Sequence, residues 1–377
     1  MSFNNINKFI NNSKLETPFL VIDLSLVIKS YKNIKKFFPD SRIYYAVKAN
    51  PAKEILNILK NEGSYFDVSS RNEIKLCLSQ SIKASNLSFG NTVKKEKDIL
   101  WANKKGVELF AFDSIEELNK IEKNAKNSKV FCRLQVPNQG ANWPLSKKFG
   151  CSVSMAKELM LKAKKKNLFP AGLSFHVGSQ QININRWIES LKLCFEVYSY
   201  LKDNNILLDF INIGGGIPVD YADYNFDIKS FSQKLNNTIK NIFKGEPIKI
   251  ILEPGRSIVA AAGIIESEVI LVSKKNQRDK KRWVYLDIGR FGGLAETEAE
   301  AIRYKIIPVN NSSECSSVNI AGPSCDGADI LYEKYNYELP INLMAGDKVR
   351  FYAAGAYTSV YVSDFNGLQR LREYFIK

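Results

Sequence analysis

The sequence predicts an α/β fold, a parallel (β/α)8 barrel that is followed by a smaller all-β domain. Eight short apolar runs alternate with segments of helical periodicity along the first two thirds of the chain. Strands and helices that alternate at intervals of about twenty to forty residues are typical of βα units and a parallel sheet. Eight such units predict a barrel that closes near Gly255. The runs are RIYYAVK (42–48), YFDV (65–68), LSFG (87–90), LFAFD (109–113), KVFCRLQ (129–135), GLSFHVG (172–178), DFINIGG (209–215) and KIILEPG (249–255).

The pattern changes at about residue 258, where strands follow one another with few helices between them. The β-rich segments are GIIESEVILVSKK, KRWVYLDIG, SSVNIAGP and DKVRFYAAGAYT, and LAETEAEAIRY is the main interruption. Runs of β-branched and aromatic residues between turn residues indicate an all-β domain. We therefore predict a barrel domain over residues 18–257 and a β-sandwich domain over 258–377, to which residues 1–17 are a candidate addition.

The chain is basic, with a formal charge of +15 from 54 basic and 39 acidic residues among 377. Its basic clusters are scattered, at residues 94–97, 162–167 and 274–282. A nucleic-acid-binding surface instead gathers positive charge on one face with interleaved aromatic residues. We interpret the clusters as solvated surface and expect no nucleic-acid partner.

Cysteine and histidine usage narrows the kinds of site that the chain can form. None of the six cysteines lies in a CxxC pair, and a chain of this size needs no disulfides, so we expect reduced thiols and a cytoplasmic location. The single histidine, His176, excludes a multi-histidine metal site, and we expect no metal. The polar N-terminus lacks the apolar core of a signal peptide, and no apolar run approaches the ~18 residues of a membrane span.

Polar residues cluster at the C-terminal ends of the predicted barrel strands. In a (β/α)8 barrel these ends open onto one face, where catalytic residues lie. A single polar residue at a strand end is unremarkable, but convergence of the whole set on one mouth favours an active site. The set consists of Lys48, Asp67, Arg133, His176, Gly214, Gly215, Gly216, Glu253 and Arg256.

A lysine at a barrel mouth can pair with a carboxylate, bind a phosphate or bond covalently to an aldehyde, and its neighbours help to choose. The glycine triplet exposes backbone N–H groups to a phosphate, aided by the dipole of a following helix. Arg256 offers a planar phosphate partner, and the motif HVGS offers a flat ring and the Ser179 hydroxyl. A phosphate site, a lysine, a carboxylate and a flat ring together describe a pocket for pyridoxal phosphate.

Eight motifs of the chain occur in the order of a known family: YYAVKANP, FDVSSRNEI, SFHVGSQ, GGGIP, EPGRSIV, CDGAD, GAYT and FNGLQ. Together they resemble the fold-type III decarboxylases that depend on pyridoxal 5′-phosphate (PLP), and most closely the ornithine decarboxylases of the bacterial ornithine/lysine branch. The resemblance runs from about Thr17 to the C-terminus. It implies PLP as the cofactor and an alanine-racemase-like barrel with a β-sandwich domain, in agreement with the strand pattern.

The resemblance assigns roles to the matching positions. Lys48 matches the lysine that bonds to the cofactor, Glu253 the carboxylate at the pyridine nitrogen, and His176 the ring that stacks on the cofactor. The positions that match the phosphate site are Ser179, Gly214, Gly215, Gly216, Gly255, Arg256 and Tyr357. The positions that match the surroundings of the lysine and the ring are Asp67, Glu73 and Arg133. Cys325 and Asp326 resemble the pair that the partner subunit of a homodimer contributes, with Cys325 as proton donor to the former Cα.

The residue after the cysteine bears on the substrate. Diaminopimelate decarboxylases carry Cys-Glu-Ser in this motif, whereas Asp326 follows Cys325 here, and a lone carboxylate suits the lone distal ammonium of ornithine or lysine. Glu300 best matches the second carboxylate for that ammonium, with Glu296 and Glu298 as alternatives. A glutamate shortens the pocket, which favours ornithine slightly, but one methylene is worth only ~1–3 kcal/mol, so we expect activity on both. Arginine decarboxylases of this fold are longer chains, which argues against arginine.

The sequence therefore predicts a homodimeric, PLP-dependent enzyme that converts L-ornithine to putrescine and CO2, a step of polyamine synthesis. Two alternatives stay open. One is a racemase, or a lysine or diaminopimelate-type decarboxylase, on the same scaffold. The other is a non-catalytic, decarboxylase-like regulator that has lost its cofactor, against which the retention of Lys48, Glu253, Arg256 and Cys325 argues.

Overall fold

A computed structural model describes residues 3–143, 148–222, 226–309 and 314–377. The helices are α1 (Asn4–Asn12), α2 (Leu24–Phe37), α3 (Lys53–Asn61), α4 (Arg71–Ser79), α5 (Glu96–Lys104), α6 (Ile115–Asn124), α7 (Val153–Lys165), α8 (Asn185–Asp203), α9 (Ile228–Ile242) and α10 (Arg256–Val259). The strands up to residue 252 are β1 (Phe19–Asp23), β2 (Ser41–Ala46), β3 (Tyr65–Val68), β4 (Leu87–Phe89), β5 (Leu109–Phe112), β6 (Lys129–Arg133), β7 (Ala141–Trp143), β8 (Phe169–Ser174), β9 (Ser179–Gln181), β10 (Phe210–Asn212) and β11 (Lys249–Leu252). The later strands are β12 (Gly263–Ser273), β13 (Arg282–Leu286), β14 (Lys305–Pro308), β15 (Cys315–Ala321), β16 (Ile330–Pro340), β17 (Lys348–Tyr352) and β18 (Arg372–Ile376).

Eight parallel strands close into a barrel in the order β10-β11-β2-β3-β4-β5-β6-β8. Each of the eight apolar runs in the sequence supplies one of these strands, so the predicted barrel is confirmed. The runs are short and rich in β-branched and aromatic residues, which suits strands that are covered on both faces. Alternate residues of several strands pack into one buried cluster that includes Tyr44, Phe131, Phe210 and Ile251. The closed sheet brings the C-terminal ends of all eight strands to one mouth.

The remaining eight strands form a separate sheet, apart from the two-stranded ribbon of β7 and β9. Its main path is β14-β17-β12-β13-β15-β16, and β1 pairs with β12 on one side and β18 on the other. The all-β character that the sequence predicts for the C-terminal part is confirmed. The segment LAETEAEAIRY interrupts the strands as irregular helical turns between residues 290 and 300.

By contacts the chain divides into two compact units, each continuous in space but not in sequence. One consists of Met1–Lys29, Val219–Phe226 and Arg256–Lys377, and the other of Ser30–Pro218 and Asp227–Gly255. These limits differ from the sequence-based boundaries 18–257 and 258–377 chiefly at the N-terminus, because β1 pairs with strands of the C-terminal sheet. Within the described ranges no helix is both long and apolar enough to cross a membrane.

Candidate active site

Lys48 lies just beyond the C-terminal end of a barrel strand. Strand β2 ends at Ala46, and Val47–Ala49 form a single 3-10 turn. Val47 and Ala49 are buried whereas Lys48 is exposed, so the turn directs the lysine out of the core. The N–H of Ala46 donates to the carbonyl of Pro254 at 3.1 Å, which ties this turn to the segment that follows β11. The lysine is therefore presented at the barrel mouth on a fixed backbone.

Asp67 is a buried carboxylate at the end of β3, beside the lysine. Burial, reinforced by the negative charges of Glu253 and Glu73, raises its pKa well above the usual range, and the charges of Lys48 and Arg133 oppose that shift. Among the described residues, its Oδ1 atom is buried without a hydrogen-bond partner. An unsatisfied buried oxygen is costly, so a bound group that supplies a donor here would be stabilised.

Glu73 is placed by the N-terminus of helix α4. The Ser70 hydroxyl accepts the N–H of Glu73 and caps the helix, while Glu73 Oε2 accepts the N–H of Ser69 at 2.6 Å. This arrangement resembles a capping box, except that the carboxylate bonds to the N–H of Ser69, the residue before the N-cap. The two bonds fix the backbone and the carboxylate of Glu73. Burial raises the pKa of Glu73, and the charge of Lys48 lowers it. The site residues Lys48, Asp67 and Glu73 therefore form one electrostatic group.

Asn212, which the sequence analysis missed, connects two predicted parts of the site. It is the last residue of β10, and its side-chain amide donates to Oε1 of Glu253. Its carbonyl oxygen Oδ1 accepts the N–H of Gly214 at 2.9 Å. One buried amide thus orients both the Glu253 carboxylate and the start of the glycine triplet. The segment DFINIGG gave no reason to single out this position, because asparagine also occurs at strand ends as an ordinary turn residue.

The glycine triplet makes a backbone cradle that no larger residue could form. Gly214 and Gly216 have φ of +67° and +93°, and an added Cβ would lie 2.4 Å from the carbonyl oxygen of Phe175 and 2.3 Å from that of Gly178, respectively. At Gly215 an added Cβ would lie 2.6 Å from the carbonyl oxygen of Glu253. Close backbone approach and positive φ are the properties of anion-binding glycine loops.

The helix that was expected to support this glycine cradle is not adjacent to it in the chain. Residues 217–222 carry no helix, and α9 begins only at Ile228, where Asp227 caps it through the N–H groups of Lys229 and Ser230. The acidic cap already satisfies those donors. The backbone of the triplet itself, rather than the dipole of α9, is therefore the candidate phosphate contact.

His176 follows β8, and its ring is held in one orientation. Its Nδ1 accepts the N–H of Gly178 at 3.0 Å, so a neutral ring carries its proton on Nε2. Burial, together with the charges of Arg133 and Lys48, lowers the pKa of His176 well below its usual value. Arg133 ends β6 and stacks on Phe149, with its guanidinium carbon 4.9 Å from the ring centroid. His176 is therefore a flat, neutral ring at the barrel mouth.

We expect the imidazole of His176 to stay neutral down to well below pH 6.5. The assignment is simple because the chain has one histidine, so its ring proton resonance is unambiguous. An NMR titration between pH 8 and pH 6 should show little change in that resonance. A midpoint at or above about 6.5, the value of an unperturbed histidine, would contradict the description of the ring as half-buried beside two cations.

Arg256 is the centre of a buried network in the unit that contains the C-terminal sheet. Its Nη2 donates to both carboxylate oxygens of Glu296 at 2.7 Å, and its Nη1 donates to the Tyr221 hydroxyl at 2.9 Å. The guanidinium carbon lies 4.8 Å from the centroid of the Tyr357 ring. Burial is the largest single effect and lowers the pKa of Arg256. The charge of Glu296, together with Tyr221 and Tyr357, outweighs burial and raises the pKa above its usual value. The candidate phosphate residues Arg256 and Tyr357 are thus in contact with each other.

Each acidic residue of LAETEAEAIRY has a partner within this chain. Glu296 is paired with Arg256, and Glu298 with Arg290 at 2.7 Å. Glu300 accepts three backbone N–H groups, those of Glu333 at 2.7 Å, Lys334 at 2.6 Å and Tyr335 at 2.8 Å. These three bonds lower the pKa of Glu300. The role of Glu300 toward a substrate ammonium stays a prediction, and the geometry gives Glu296 a different function, as counter-ion of Arg256.

Cys325 and Asp326 lie on an exposed loop between β15 and β16. The N–H of Cys325 donates to Oδ1 of Asn366, and Oδ1 of Asp326 accepts the N–H of Ala328. Asp329, which the sequence analysis did not identify, is buried beneath this loop. Its carboxylate accepts the N–H groups of Ser324 and Arg290, at 3.0 and 2.7 Å. This carboxylate fixes the turn, so the loop presents Cys325 and Asp326 outward.

The structure thus brings the predicted residues together in groups. The barrel-mouth group contains Lys48, Asp67, Glu73, Arg133, His176, Glu253 and the glycine triplet. Ser179 begins the short strand β9, three residues after His176, and Gly255 directly precedes Arg256 in the chain. Arg256 with Tyr357 forms a second group, and Cys325 with Asp326 a third. The assignment of individual roles to these residues stays a prediction.

Replacing Asn212 by alanine should damage both contacts that its side chain makes. The Gly214 N–H would be left buried without its acceptor, at a cost of about 1–3 kcal/mol in the free energy of unfolding. Glu253 would also lose its orienting donor, so the cofactor should bind more weakly. Denaturant unfolding and an absorbance titration with PLP measure the two effects, and Asn61→Ala on an exposed helix end is the matched control. Unchanged values for Asn212→Ala would show that this link is dispensable.

Comparison with known proteins supports what the barrel and its mouth indicate, a PLP-binding barrel enzyme. Residues 24–260 match the family model "Pyridoxal-dependent decarboxylase, pyridoxal binding domain". The lysine/ornithine decarboxylase of Selenomonas ruminantium is 31% identical over 355 residues, which cover 94% of this chain and 88% of that protein. The chain therefore belongs to the pyridoxal-dependent decarboxylase family, as the motifs predicted.

Solved structures agree in fold over the full chain. A lysine/ornithine decarboxylase from Vibrio vulnificus, solved with putrescine, has a TM-score of 0.88 and 29% identity and covers 100% of this chain and 98% of its own. The arginine decarboxylase of Paramecium bursaria Chlorella virus has a TM-score of 0.91 and 26% identity, with 100% of both chains covered. The predicted combination of a barrel with a mostly-sheet C-terminal domain is confirmed by these neighbours.

The residues of the barrel mouth fit PLP. The glycine cradle has the close backbone approach that a phosphate needs, and the orphaned Oδ1 of Asp67 marks a buried position that a bound group could satisfy. Glu253 is a carboxylate with a fixed orientation, as a protonated ring nitrogen requires. Lys48 is the exposed amine beside this group. The donor set therefore matches an aldehyde, a phosphate and a basic ring nitrogen.

Proposed function

We propose that the chain decarboxylates L-ornithine to putrescine and CO2, with lysine as a second substrate. The observation that carries the proposal is the barrel-mouth group, in which an exposed lysine, a glycine cradle and an oriented carboxylate fit the cofactor of the family. Support for the substrate comes from the relatives, which are lysine/ornithine and ornithine decarboxylases. The proposed location is the cytoplasm, where PLP and amino acids are available.

Each residue of the barrel-mouth group has a proposed role toward the cofactor. Lys48 would hold the cofactor through its aldehyde carbon, and the triplet Gly214 to Gly216 would bind its phosphate. Bound PLP supplies a conjugated ring that accepts the electron pair left at Cα when CO2 departs. The carboxylate of Glu253, oriented by Asn212, would favour a proton on the ring nitrogen. The neutral ring of His176 would stack on the cofactor ring without adding a positive charge.

The loop residues complete the site from a second subunit in this proposal. Cys325 would donate a proton to the former Cα, and Asp326 would accept the distal ammonium of the substrate. Both side chains are exposed in the single chain, and the buried carboxylate of Asp329 fixes their loop. Exposure of a preorganised cysteine and carboxylate suits residues that serve a neighbouring subunit. We therefore propose a homodimer with shared active sites.

Arginine cannot be set aside by chain length. The viral arginine decarboxylase matches this chain over the full length of both. Arginine decarboxylases of this fold are therefore not always longer chains, and the prediction against arginine on that ground is wrong. A single carboxylate such as that of Asp326 can accept from an ammonium or from a guanidinium, so the assay must include arginine.

The proposed activity is tested by incubating the holoenzyme separately with ornithine, lysine, diaminopimelate and arginine. Release of CO2 and the identity of the amine product are measured for each substrate. We expect putrescine from ornithine as the fastest reaction and cadaverine from lysine as a slower one. If the fastest reaction gives agmatine from arginine, or lysine from diaminopimelate, ornithine is refuted as the substrate. A protein that binds PLP but releases no CO2 from any of the four would support the non-catalytic regulator.

Shared sites are tested by mixing Lys48→Ala chains with Cys325→Ala chains after dissociation. In a mixed dimer one of the two sites would contain both native residues, while each variant alone would contain none. Random reassociation should therefore recover up to about a quarter of the native activity. Recovery of no activity from a mixture that demonstrably forms mixed dimers would show that each subunit works alone.

A further inference from the structure

Two buried cysteines lie in contact near the C-terminal end of β6. Cys132 belongs to β6 and is fully buried, and Cys151 is 5% exposed. Their Sγ atoms are 3.5 Å apart, which is already van der Waals contact between two sulfur atoms. Nothing in the sequence indicates this pair, because the two residues are far apart in the chain and share no cysteine motif.

The backbones that carry the two thiols are fixed against each other. Cys151 forms a parallel bridge with Leu134, its N–H donates to the carbonyl of Arg133 at 3.0 Å, and its carbonyl accepts the N–H of Gln135 at 2.9 Å. The sulfur atoms therefore face each other across neighbouring extended segments. The Cys151 thiol also contacts the carbonyl oxygen of Arg133 at 3.5 Å. A disulfide needs an S–S distance of about 2.05 Å, so the two sulfur atoms must approach each other by about 1.5 Å and the Cys151 thiol must leave that carbonyl.

We propose that Cys132 and Cys151 are an oxidation site, at which a peroxide converts the two thiols to one reversible disulfide. Cys151 reacts first, since it is the less buried of the two. Its sulfur attacks one peroxide oxygen, the O–O bond breaks, and the thiol proton passes to the departing oxygen, so that a sulfenic acid and one water result. The thiol of Cys132 then attacks that sulfur, the S–S bond forms, and the second water leaves with the proton of Cys132. Two electrons pass from the two sulfurs to the peroxide, and a dithiol returns them.

The raised pKa of Cys132 makes formation of the disulfide slow. Contact with Cys151 and burial raise the pKa of Cys132 well above its usual value. Cys132 therefore stays a protonated thiol that can hydrogen-bond to the sulfur of Cys151. A protonated thiol is a weak nucleophile, so the less buried Cys151 attacks the peroxide and the resolving step by Cys132 is slow.

A variant without the exposed cysteines isolates the pair. Cys315 and Cys325 are exposed, and their replacement by serine leaves four of the six cysteines, all buried. After exposure to millimolar peroxide and quenching, the folded protein is denatured and its thiols are titrated. We expect two of the four thiols to be lost, a mass decrease of two hydrogen atoms, a linked peptide with residues 132 and 151, and full recovery with a dithiol reductant.

Two further replacements separate this pair from other oxidation. Addition of Cys151→Ala should abolish the linked peptide, whereas addition of Cys77→Ala, which removes a buried cysteine on α4, should leave it unchanged. The variant in which only Cys315 and Cys325 are replaced tests the proposal even if the Cys151→Ala or Cys77→Ala variant fails to fold. If it keeps all four thiols after both peroxide and diamide, or if the linked peptide joins other cysteines, the proposal is overturned.

Discussion

Replacement of Lys48 by alanine is expected to lower the rate of decarboxylation by roughly 10²–10⁴-fold, the range that one positioned proton-transferring or covalent side chain contributes. The reason is that Lys48 is the exposed amine beside the carboxylates of Asp67 and Glu73, where the aldehyde of the cofactor would bond. Loss of the amine removes the covalent bond without disturbing the backbone turn of Val47–Ala49. The measurement is kcat with saturating ornithine and saturating PLP.

The matched control for this variant is Lys53→Ala. Lys53 is also exposed and begins α3, five residues further along the chain, but it has no place in the barrel-mouth group. Its activity should equal that of the native protein. If Lys48→Ala retained more than a tenth of the native kcat, covalent attachment through this residue would be wrong, whatever the relatives do.

Replacement of Glu253 by alanine should reduce kcat by roughly 10²–10³-fold, the order that a single preorganised electrostatic partner contributes. Without its charge, the ring nitrogen would lose the group that favours its proton, and the ring would accept electrons less readily. Glu253→Gln keeps the shape but removes the charge, so it should lose nearly as much. The glutamine variant therefore separates the effect of charge from the effect of packing.

The control for Glu253 is Glu108→Ala, an exposed glutamate that precedes β5 at the opposite end of the barrel. It should leave kcat unchanged. A native rate for Glu253→Gln would mean that the carboxylate serves only to bind Asn212, and the proposed role at the ring nitrogen would then have to be withdrawn.

The barrel could be predicted from the sequence because its strands are locally encoded. Each run, such as RIYYAVK or KIILEPG, is short, apolar and bounded by turn residues, and each became one barrel strand. The same pattern placed Lys48 and Glu253 at strand ends without any tertiary information. The all-β character of the C-terminal part was also visible, but β14, β16 and β18 of that part were not identified.

The parts of the site that the sequence did not predict depend on contacts between distant segments. Asn212 binds the carboxylate of Glu253 and the N–H of Gly214, and Asp329 accepts backbone N–H groups. Such contacts leave no pattern in the residue order. The acidic segment LAETEAEAIRY misled in another way. Helical spacing would place Glu296 and Glu300 on one face and Glu298 on the opposite face, but positive φ at Ala299 and Glu300 breaks the helix. The three carboxylates therefore point to three different partners.

The central claim, a covalent link between residue 48 and PLP with a site built around it, is tested most directly by borohydride reduction of the purified holoenzyme. Reduction makes the link permanent, and peptide mass mapping then finds the lysine that carries the cofactor. We expect the pyridoxyl group on the peptide with Lys48 and on no other lysine, with loss of the visible absorbance band. A pyridoxyl group on a different lysine, or a protein that binds PLP and yields no modified peptide, would contradict the account.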